Sequence, residues 1–365
     1  MVHRLLSRPL LHVAILALGL VPCACGSSSG GATSEPAAVD GGVDARADAP
    51  STTPYVPKGV TIGNSNVTEV RFTDEQNGFL LLYGNTPETR GIWATADAGA
   101  SWTKRAIDIA STGLAFTSDL SRVWAAGTGS VSNLWSSGDR GASFAPLSWS
   151  DGSTGRIEFV DASTVLLSSF LGNDLHRSTD GGATWTKQAF DGLYAAVRIA
   201  VIGRDVWLAG GLSFKADGAR VSHSTDAGAT FAIATLTDKA HSFEGGALRA
   251  LAVVSPSEVW VAGASRQVFH TTNAGADWKQ ITGIPDSLES FGGVHVRGSQ
   301  VTLAGSSVSG YALYVSDDGG TSFRVAHEIR CPSFCGAVSG IASPSPGVFF
   351  VYGDRLLWRV EQRAP

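Results

Sequence analysis

A short motif that occurs six times in this chain constrains its fold more than any other sequence feature. The copies begin at Thr95, Ser137, Ser178, Ser224, Thr271 and Ser316. In each copy an Asp or Asn lies two residues after the Ser or Thr, a Gly follows two residues later, and an aromatic residue comes three residues after the Gly. The copies are spaced by 41 to 47 residues, a period that predicts a propeller with four strands in each blade.

The residue types of this motif, which we call the repeat turn, suit a tight connection between two strands. The Asp or Asn side chain can accept hydrogen bonds from the backbone NH groups just after it, and the Gly permits a positive φ. The side chains concerned are Asp97, Asp139, Asp180, Asp226, Asn273 and Asp318. A catalytic or calcium-binding residue is needed once, in one place, so six copies predict a structural role.

An apolar strand precedes each repeat turn, and there are seven such strands, one more than the number of turns. They begin at Gly78, Val123, Val165, Val206, Val259, Val301 and Val348. Nearly continuous apolar runs are typical of strands that are covered on both faces. Trp124, Trp207 and Trp260 occupy one shared position of these strands, which predicts packing between blades and not a cofactor site.

These patterns predict an all-β, seven-bladed β-propeller of four-stranded antiparallel blades over residues 55–365. The 44 glycines of the 365-residue chain agree with a fold rich in turns. The seventh unit ends at its third strand, Leu356–Glu361. We therefore expect the N-terminal segment Tyr55–Ile62 to supply the missing outer strand and close the ring.

The six repeat turns resemble the Asp-box, or BNR repeat, of sialidases, sortilin-type receptors and related β-propellers, and the resemblance covers essentially all of residues 55–365. Four predicted inner strands contain an arginine, namely Arg71, Arg156, Arg198 and Arg249. A seven-bladed ring with arginines on its inner strands is also similar to the photosystem-assembly-factor type of propeller. That type binds protein and does not turn over a substrate. The resemblance implies a protein-binding or assembly role, and it does not imply a photosynthetic one.

The N-terminus predicts export. Arg4 and Arg8 precede the apolar run Leu10–Val21, which is too short to span a membrane and is typical of a signal peptide. The sequence around Cys23 and Cys25 resembles a bacterial lipoprotein signal. We expect lipidation at Cys25 because small Ala24 precedes it, whereas Pro22 directly precedes Cys23; lipidation at Cys23 and plain secretion stay open as alternatives.

The predicted organisation is a signal peptide at 1–24, a tether at 25–54 and the propeller at 55–365. The tether consists largely of Ser, Gly, Ala, Asp and Pro, so it cannot bury enough apolar surface to fold. Lipidation at Cys25 would leave Cys331 and Cys335 as a pair, and a disulfide is expected between them in an exported protein. The expected location is the bacterial cell envelope, on a membrane through the lipid, or alternatively outside the cell.

Four inner strands carry an arginine at similar places in the pattern: Arg71, Arg156, Arg198 and Arg249. A ring of guanidinium groups would bind carboxylates or other anions, which makes these residues the candidate binding site of the channel. Glu69 and Glu158 lie on the same strand faces, so mutual neutralisation that simply fills the channel is the open alternative. The long connections at 212–220, 236–246 and 284–292 are binding loops or solvated connectors.

Three functions remain open from the sequence. The first is a non-catalytic scaffold for an envelope protein, without cofactor or metal; the second is a sialidase-like glycoside hydrolase or glycan-binding protein; the third is a passive surface protein. Arg156-Ile157 is followed by Glu158 and not by the Pro of the sialidase motif. Hydrolysis by the usual route needs two carboxylates about 5 to 10 Å apart, and nothing singles out such a pair. The net charge of −5 argues against nucleic-acid binding.

Overall fold

The structure of the protein, a computed structural model, describes part of the chain. The described residues are 64–365 apart from 106, 130–131, 153, 170–173, 190–197, 211–218, 237–247, 286–288, 308–309, 331–335 and 362–365. The predicted signal peptide, Cys25, the tether, the ring-closing segment and the pair Cys331 and Cys335 lie outside these residues. Among the helices that the structure describes, none is long and apolar enough to cross a membrane.

The described strands form seven antiparallel sheets, which we number as blades in chain order. Blade 1 contains β1 Asn66–Phe72, β2 Gly78–Tyr83, β3 Gly91–Thr95 and β4 Thr103–Lys104, with a 3-10 turn at Pro87–Thr89. Blade 2 contains β5 Ile109–Phe116, β6 Val123–Gly129, β7 Leu134–Ser137 and β8 Ala145–Pro146. Blade 3 contains β9 Thr154–Phe159, β10 Val165–Ser169, β11 Asp174–Ser178 and β12 Thr186–Ala189. Blade 4 contains β13 Arg198–Ile202, β14 Asp205–Gly210, β15 Ala219–Ser224 and β16 Ala232–Leu236.

The remaining three blades continue the pattern. Blade 5 contains β17 Leu248–Val253, β18 Val259–Gly263, β19 Val268–Thr271 and β20 Lys279–Gln280. Blade 6 contains β21 Ser290–Arg297, β22 Gln300–Ser306, β23 Gly310–Ser316 and β24 Arg324–Arg330. Blade 7 contains β25 Val338–Ser345, β26 Val348–Gly353 and β27 Leu356–Glu361, and within the described residues it has three strands. The predicted all-β fold with seven antiparallel blades is confirmed.

Seven hydrophobic clusters hold the blades together, and each joins two consecutive blades. One of them joins blade 7 to blade 1 and includes Val67, Trp93 and Phe350. The ring is therefore closed by packing between blades 7 and 1. Burial of apolar area between blades is the main stabilising term of the fold.

The six repeat turns share one geometry. The Oδ1 atom of the Asp or Asn accepts a hydrogen bond of 2.8 to 2.9 Å from the backbone NH four residues later. The hydroxyl of the first Ser or Thr accepts one of 2.8 to 3.0 Å from the NH of the Gly. The Gly and the residue before it both have positive φ in every copy. The side chains of the sequence motif therefore satisfy the backbone of the turn itself.

The Gly of each repeat turn packs against the second strand of the preceding blade. A Cβ atom at Gly182 would lie 2.1 Å from the ring of Trp124, and one at Gly320 would lie 2.4 Å from the ring of Trp260. Equivalent contacts join Gly99 to Phe350, Gly141 to Phe79, Gly228 to Leu166 and Gly275 to Trp207. The tryptophans at the shared strand position thus pack between blades, and the turn needs Gly for close approach as well as for its φ.

The interface between blades 6 and 7 differs from the other six. Blade 7 has no repeat turn within the described residues, and blade 6 has the fully buried Thr302 where other blades have an aromatic residue or Leu. On the facing side, blade 7 has Phe349 where blades 2 to 6 have Val. At the other interfaces the large side chain belongs to the preceding blade, whereas here it belongs to blade 7. Blade 7 has no described repeat turn to pack against position 302, and the small Thr302 there is balanced by the large Phe349 on the facing blade.

The repeat turns predict an acid sensitivity of the fold. Hydrogen bonds from Thr184 and Ser178 lower the pKa of Asp180 to about 2, and those from the equivalent hydroxyls lower the pKa of the other four Asp residues. A lowered carboxyl pKa stabilises the folded state above the unfolded value and loses this effect as pH falls towards the folded value. The urea midpoint should therefore fall between about pH 4 and 2.

Asp180→Asn should weaken this acid dependence, because an amide keeps the acceptor Oδ1 and does not titrate, as at Asn273. Asp180→Ala should lower the urea midpoint at neutral pH, because it removes the acceptor for the Thr184 NH. An unchanged midpoint in Asp180→Ala would contradict a structural role for the turn.

Candidate functional site

The first strand of each blade lines the central channel, and β-bulges determine which side chains point into it. In six blades the pairing of this strand with the second strand shifts by one residue, and in blade 4 it does not. On the first strands the shifts lie between Val67 and Glu69, Ser111 and Gly113, Thr154 and Ile157, Leu248 and Ala250, Phe291 and Gly293, and Val338 and Gly340, with a second one in blade 7 between Ala342 and Ser345. A bulge breaks the two-residue alternation of a strand. Residues at similar places in the sequence pattern therefore occupy different places in the channel.

A cavity of about 760 Å³ occupies one end of the channel, and all seven blades contribute to its wall. It opens among the hairpins that join first and second strands, since Thr117–Asp119, Asp161 and Gly203 lie in its wall. The repeat turns lie at the same face, where for example the Ala227 NH donates to the Arg204 carbonyl of such a hairpin. The strand ends that the connections at 212–220, 236–246 and 284–292 join lie at the opposite face. Most residues of the first two connections, and 286–288 of the third, lie outside the described ranges.

Two of the four predicted arginines form ion pairs inside the channel. Arg71 makes a two-point contact with Glu158, from Nη1 to Oε1 at 2.7 Å and from Nη2 to Oε2 at 3.3 Å. Arg156 Nη1 lies 3.0 Å from Oε2 of Glu69. Arg71 also donates to the Leu114 carbonyl at 2.6 Å. These pairs connect blades 1 and 3 across the face of blade 2. For Arg71 and Arg156 the neutralisation considered from the sequence is thus the observed arrangement.

Arg198 lies in the same cavity and has no carboxylate within ion-pair distance among the described residues. Its Nε donates to the Arg249 carbonyl at 2.7 Å and its Nη2 donates to the Ser339 carbonyl at 2.6 Å. Ser339 belongs to blade 7, which is separated from blade 4 by two blades one way round the ring and by three the other way. The Arg198 guanidinium therefore reaches across the channel and forms the floor of the cavity.

Arg249 occupies a different environment from the other three arginines. It is the bulged residue between Leu248 and Ala250, and it is not part of the cavity wall, whereas Ala250 is. Its carbonyl holds Arg198, so its backbone contributes to the site. The one-residue shift at the bulge accounts for this difference in placement.

Burial and charge shift the pKa values of these groups in opposite directions. Burial and, to a smaller extent, nearby Arg156 together lower the pKa of Arg198 to about 10, so Arg198 still carries its charge at neutral pH. Burial also raises the pKa of Glu158 to about 7, although Arg71 acts against this shift. Burial lowers the pKa of Arg71, but Glu158 and Glu69 more than offset this effect, so its pKa lies above the ordinary value. Three guanidinium groups thus face two carboxylates in the inner part of the cavity, and Asp119 and Asp161 add two further carboxylates to its wall.

Small and apolar residues form the cavity wall opposite the charges. Blades 5 to 7 contribute Ala250, Gly293, Val294, Gly340 and Ile341. Sequence reasoning did not identify Tyr352, which also lines the cavity and lies over Gly340, where an added Cβ would be 2.2 Å from its Oη. The signal was present in the repeat alignment, because four other second strands have Ala immediately before their Gly. The cavity thus combines a charged side with a side that can accept an apolar group.

Within the part of the chain that the structure describes, no group of three or more His, Cys, Asp or Glu residues could hold a metal ion. The carboxylates Glu69 and Glu158 are held by guanidinium groups and, for Glu69, by the Leu114 NH at 3.2 Å. The arrangement is suited to binding an anion at Arg198 and an apolar group beside it.

The fold and this cavity define the class of protein as a seven-bladed β-propeller with a cavity at one end of its channel. No protein-family model matches the chain, and no curated protein sequence matches it.

Solved structures do resemble it. YCF48 bound to D1 peptide has a TM-score of 0.62 and 17% sequence identity, covering 84% of this chain and 96% of that one. YCF48 from Cyanidioschyzon merolae has a TM-score of 0.61 and 14% identity, covering 82% and 96%. The GH74 xyloglucanase from Xanthomonas campestris has a TM-score of 0.61 and 18% identity, covering 86% of this chain and 55% of the enzyme. At these identities the similarity shows the fold alone.

Proposed function

We propose that this protein is an exported, lipid-anchored β-propeller that acts as a non-catalytic protein-binding or assembly scaffold in the cell envelope, with the channel cavity as its binding site. The observation that carries the proposal is the Arg198 guanidinium, which faces a cavity of about 760 Å³ and has no carboxylate partner among the described residues. A partly buried cation without a counter-charge gains stability when a partner supplies an anion.

The pairing within the cavity favours binding over catalysis. Both carboxylates already accept hydrogen bonds from Arg71 or Arg156, which holds them away from the role of a free base. The structural neighbour YCF48 was solved with D1 peptide bound, which supports the idea that a propeller of this shape can accept a peptide. The size of the cavity suits a few residues of a polypeptide.

A capture experiment from the native envelope tests this function. The full chain serves as bait beside Arg198→Gln and the matched control Arg324→Gln, an exposed arginine on an outer strand whose side chain is 61% exposed. We expect a partner that is retained by the native bait and by Arg324→Gln and is lost with a correctly folded Arg198→Gln. A partner that binds all three baits equally would contradict the proposal that the channel cavity is the binding site.

The N-terminal sequence supports anchoring, and lipidation is tested directly. We expect Cys25→Ser to move the protein from the membrane fraction to the soluble fraction, since the lipid is the proposed anchor. Cys23→Ser is the matched control and should stay with the membrane. Detergent partitioning after Triton X-114 phase separation measures both. Retention of Cys25→Ser in the detergent phase would contradict lipidation at that residue.

A glycoside hydrolase of sialidase-like type, or a glycan-binding protein, is the second candidate. The observation that favours it is Glu158, whose pKa is raised to about 7 by burial, as in a general acid. The fold similarity to the GH74 xyloglucanase agrees with it. A glycan array and a hydrolysis screen test this candidate, and it requires that Glu158→Gln abolish any activity found.

A further inference from the structure

The cavity has a charge gradient along its axis. Its floor is the Arg198 guanidinium, held between the carbonyl groups of Arg249 and Ser339. Its rim contains Asp119 and Asp161, which are exposed and line the wall from blades 2 and 3. A ligand that enters from this face therefore meets negative charge first and positive charge last.

The two rim carboxylates are fixed and charged. Oδ1 of Asp119 accepts from the Thr117 hydroxyl at 2.6 Å and from the Ser121 NH at 3.0 Å. Oδ1 of Asp161 accepts from the Thr164 NH at 2.7 Å. These bonds within the hairpins bring the pKa of each Asp to about 2, for Asp161 against the opposing effect of its partial burial.

Asp119 and Asp161 form no ion pair within the described part of the chain. The interactions that lower their pKa values are hydrogen bonds from Thr117, Ser121, Ser163 and Thr164 of the same hairpins. The nearest hairpin arginine, Arg122, donates to the Ala162 carbonyl at 2.9 Å and is not part of the cavity wall. The rim thus offers two unpaired negative charges to a ligand.

The floor limits what can reach it. Because the Arg198 side chain crosses from blade 4 to the Ser339 carbonyl of blade 7, an entering chain meets this side chain at this level. A chain end or a single side chain can contact the guanidinium, whereas a folded surface cannot. The wall of Gly293, Gly340 and Ile341 leaves room for apolar side chains beside it.

The inner strand sets the distance between the two charges. Arg198, whose side chain forms the floor, begins β13, and Gly203 in the hairpin at the end of that strand lines the cavity wall five residues later. At about 3.3 Å per residue in an extended strand, floor and rim are roughly 16 Å apart. An extended ligand has the same rise, so its charges match when they are also separated by about five residues.

We propose that the cavity selects an extended polypeptide segment that has a carboxylate at its inner end, apolar side chains next to it, and a basic side chain about five residues away at the rim. This inference rests on the proposed protein-binding function and adds the charge pattern of the partner. The carboxylate comes from a chain terminus or from an Asp or Glu side chain, and the test separates the two sources.

Labelled peptides of about eight residues test the pattern by fluorescence anisotropy with the purified full chain in detergent. One peptide has a free C-terminal carboxylate and a lysine about five residues before it, and a second has glutamate in place of the lysine. A third has an amidated C-terminus, and a fourth is amidated with an aspartate as its last residue. We expect about tenfold tighter binding of the lysine peptide than of the glutamate peptide at low ionic strength, and a smaller ratio in high salt.

The variants assign the effect to the rim and the floor. Asp119→Asn with Asp161→Asn keeps the Oδ1 acceptors of both hairpins and should abolish the preference for lysine. Asp74→Asn is the matched control, because Asp74 closes an equivalent hairpin in blade 1 and is not part of the cavity wall. Arg198→Gln should weaken the binding of every peptide that has a carboxylate at its inner end.

The inference would be overturned if the lysine and glutamate peptides bound equally. It would also be overturned if the double variant Asp119→Asn with Asp161→Asn still preferred the lysine peptide. In that case Arg198-dependent peptide binding would still support the protein-binding function. No binding of any peptide would also overturn the inference, and the envelope capture would then decide the proposed function separately. Binding of the fourth peptide as tightly as the first would identify a side chain as a sufficient source of the carboxylate.

Discussion

Gly320→Ala should destabilise the propeller by about 3 kcal/mol, whereas Gly319→Ala, one residue earlier in the same turn, should cost about 1 kcal/mol. Both glycines have positive φ, 70° at Gly319 and 84° at Gly320, so both substitutions introduce backbone strain. Only at Gly320 does the new methyl group collide with a neighbouring blade, 2.4 Å from Cη2 of Trp260; at Gly319 nothing lies within 4 Å. The difference between the two variants isolates the contact between blades.

Urea denaturation monitored by tryptophan fluorescence measures both variants. Three other repeat turns have Ala at the position of Gly319, which shows that the backbone there accepts a Cβ. Similar losses in the two variants would mean that φ strain dominates and that the packing against Trp260 contributes little. A larger loss at Gly320 would establish the turn as part of the interface between blades 5 and 6.

Arg71→Met should destabilise the protein by about 3 to 5 kcal/mol at pH 8, because it leaves Glu158 buried without its guanidinium partner. The loss should be smaller near pH 5. Burial already raises the pKa of Glu158 to about 7, and removal of Arg71 raises it further. A carboxyl group whose folded pKa exceeds its unfolded pKa destabilises the fold as pH rises from the unfolded value through the folded one.

The double variant Arg71→Met with Glu158→Gln is the control for this pair. It has no titrating group at the site of the pair, so its loss of stability should be smaller at pH 8 and nearly independent of pH between 5 and 8. Equal losses in the single and double variants would show that the lost bond to the Leu114 carbonyl, and not the charge, is the main cost.

The architecture was predictable because the repeat turn and the apolar second strand both recur with one period. Each copy is a local pattern whose residues contact one another within a few positions, as Asp97 and Ser101 do. The count of seven followed from Val348–Gly353, a seventh apolar strand without a turn after it. The compensating exchange of Thr302 and Phe349 was not predictable in this way, because it depends on which faces of two neighbouring blades meet.

The candidate site was predictable in part. The placement of Glu69, Arg71, Arg156 and Glu158 on channel-facing positions follows from strand alternation. Arg249 lies outside the cavity wall because of a bulge, and no local residue pattern predicted that bulge. The contact between Arg198 and Ser339 joins residues that are 141 positions apart, and only the diameter of the closed ring brings them together.

The side chains exchanged between blades 6 and 7 affect which blades can pack next to each other in a ring of similar units. If blade 7 met blade 5 in place of blade 6, Phe349 would face Trp260, and two large rings would compete for a space that holds one. If blade 6 met a blade with Val at that position, Thr302 would leave a void beside it. Thr302 and Phe349 thus favour the pairing of blade 6 with blade 7 over both of these alternatives.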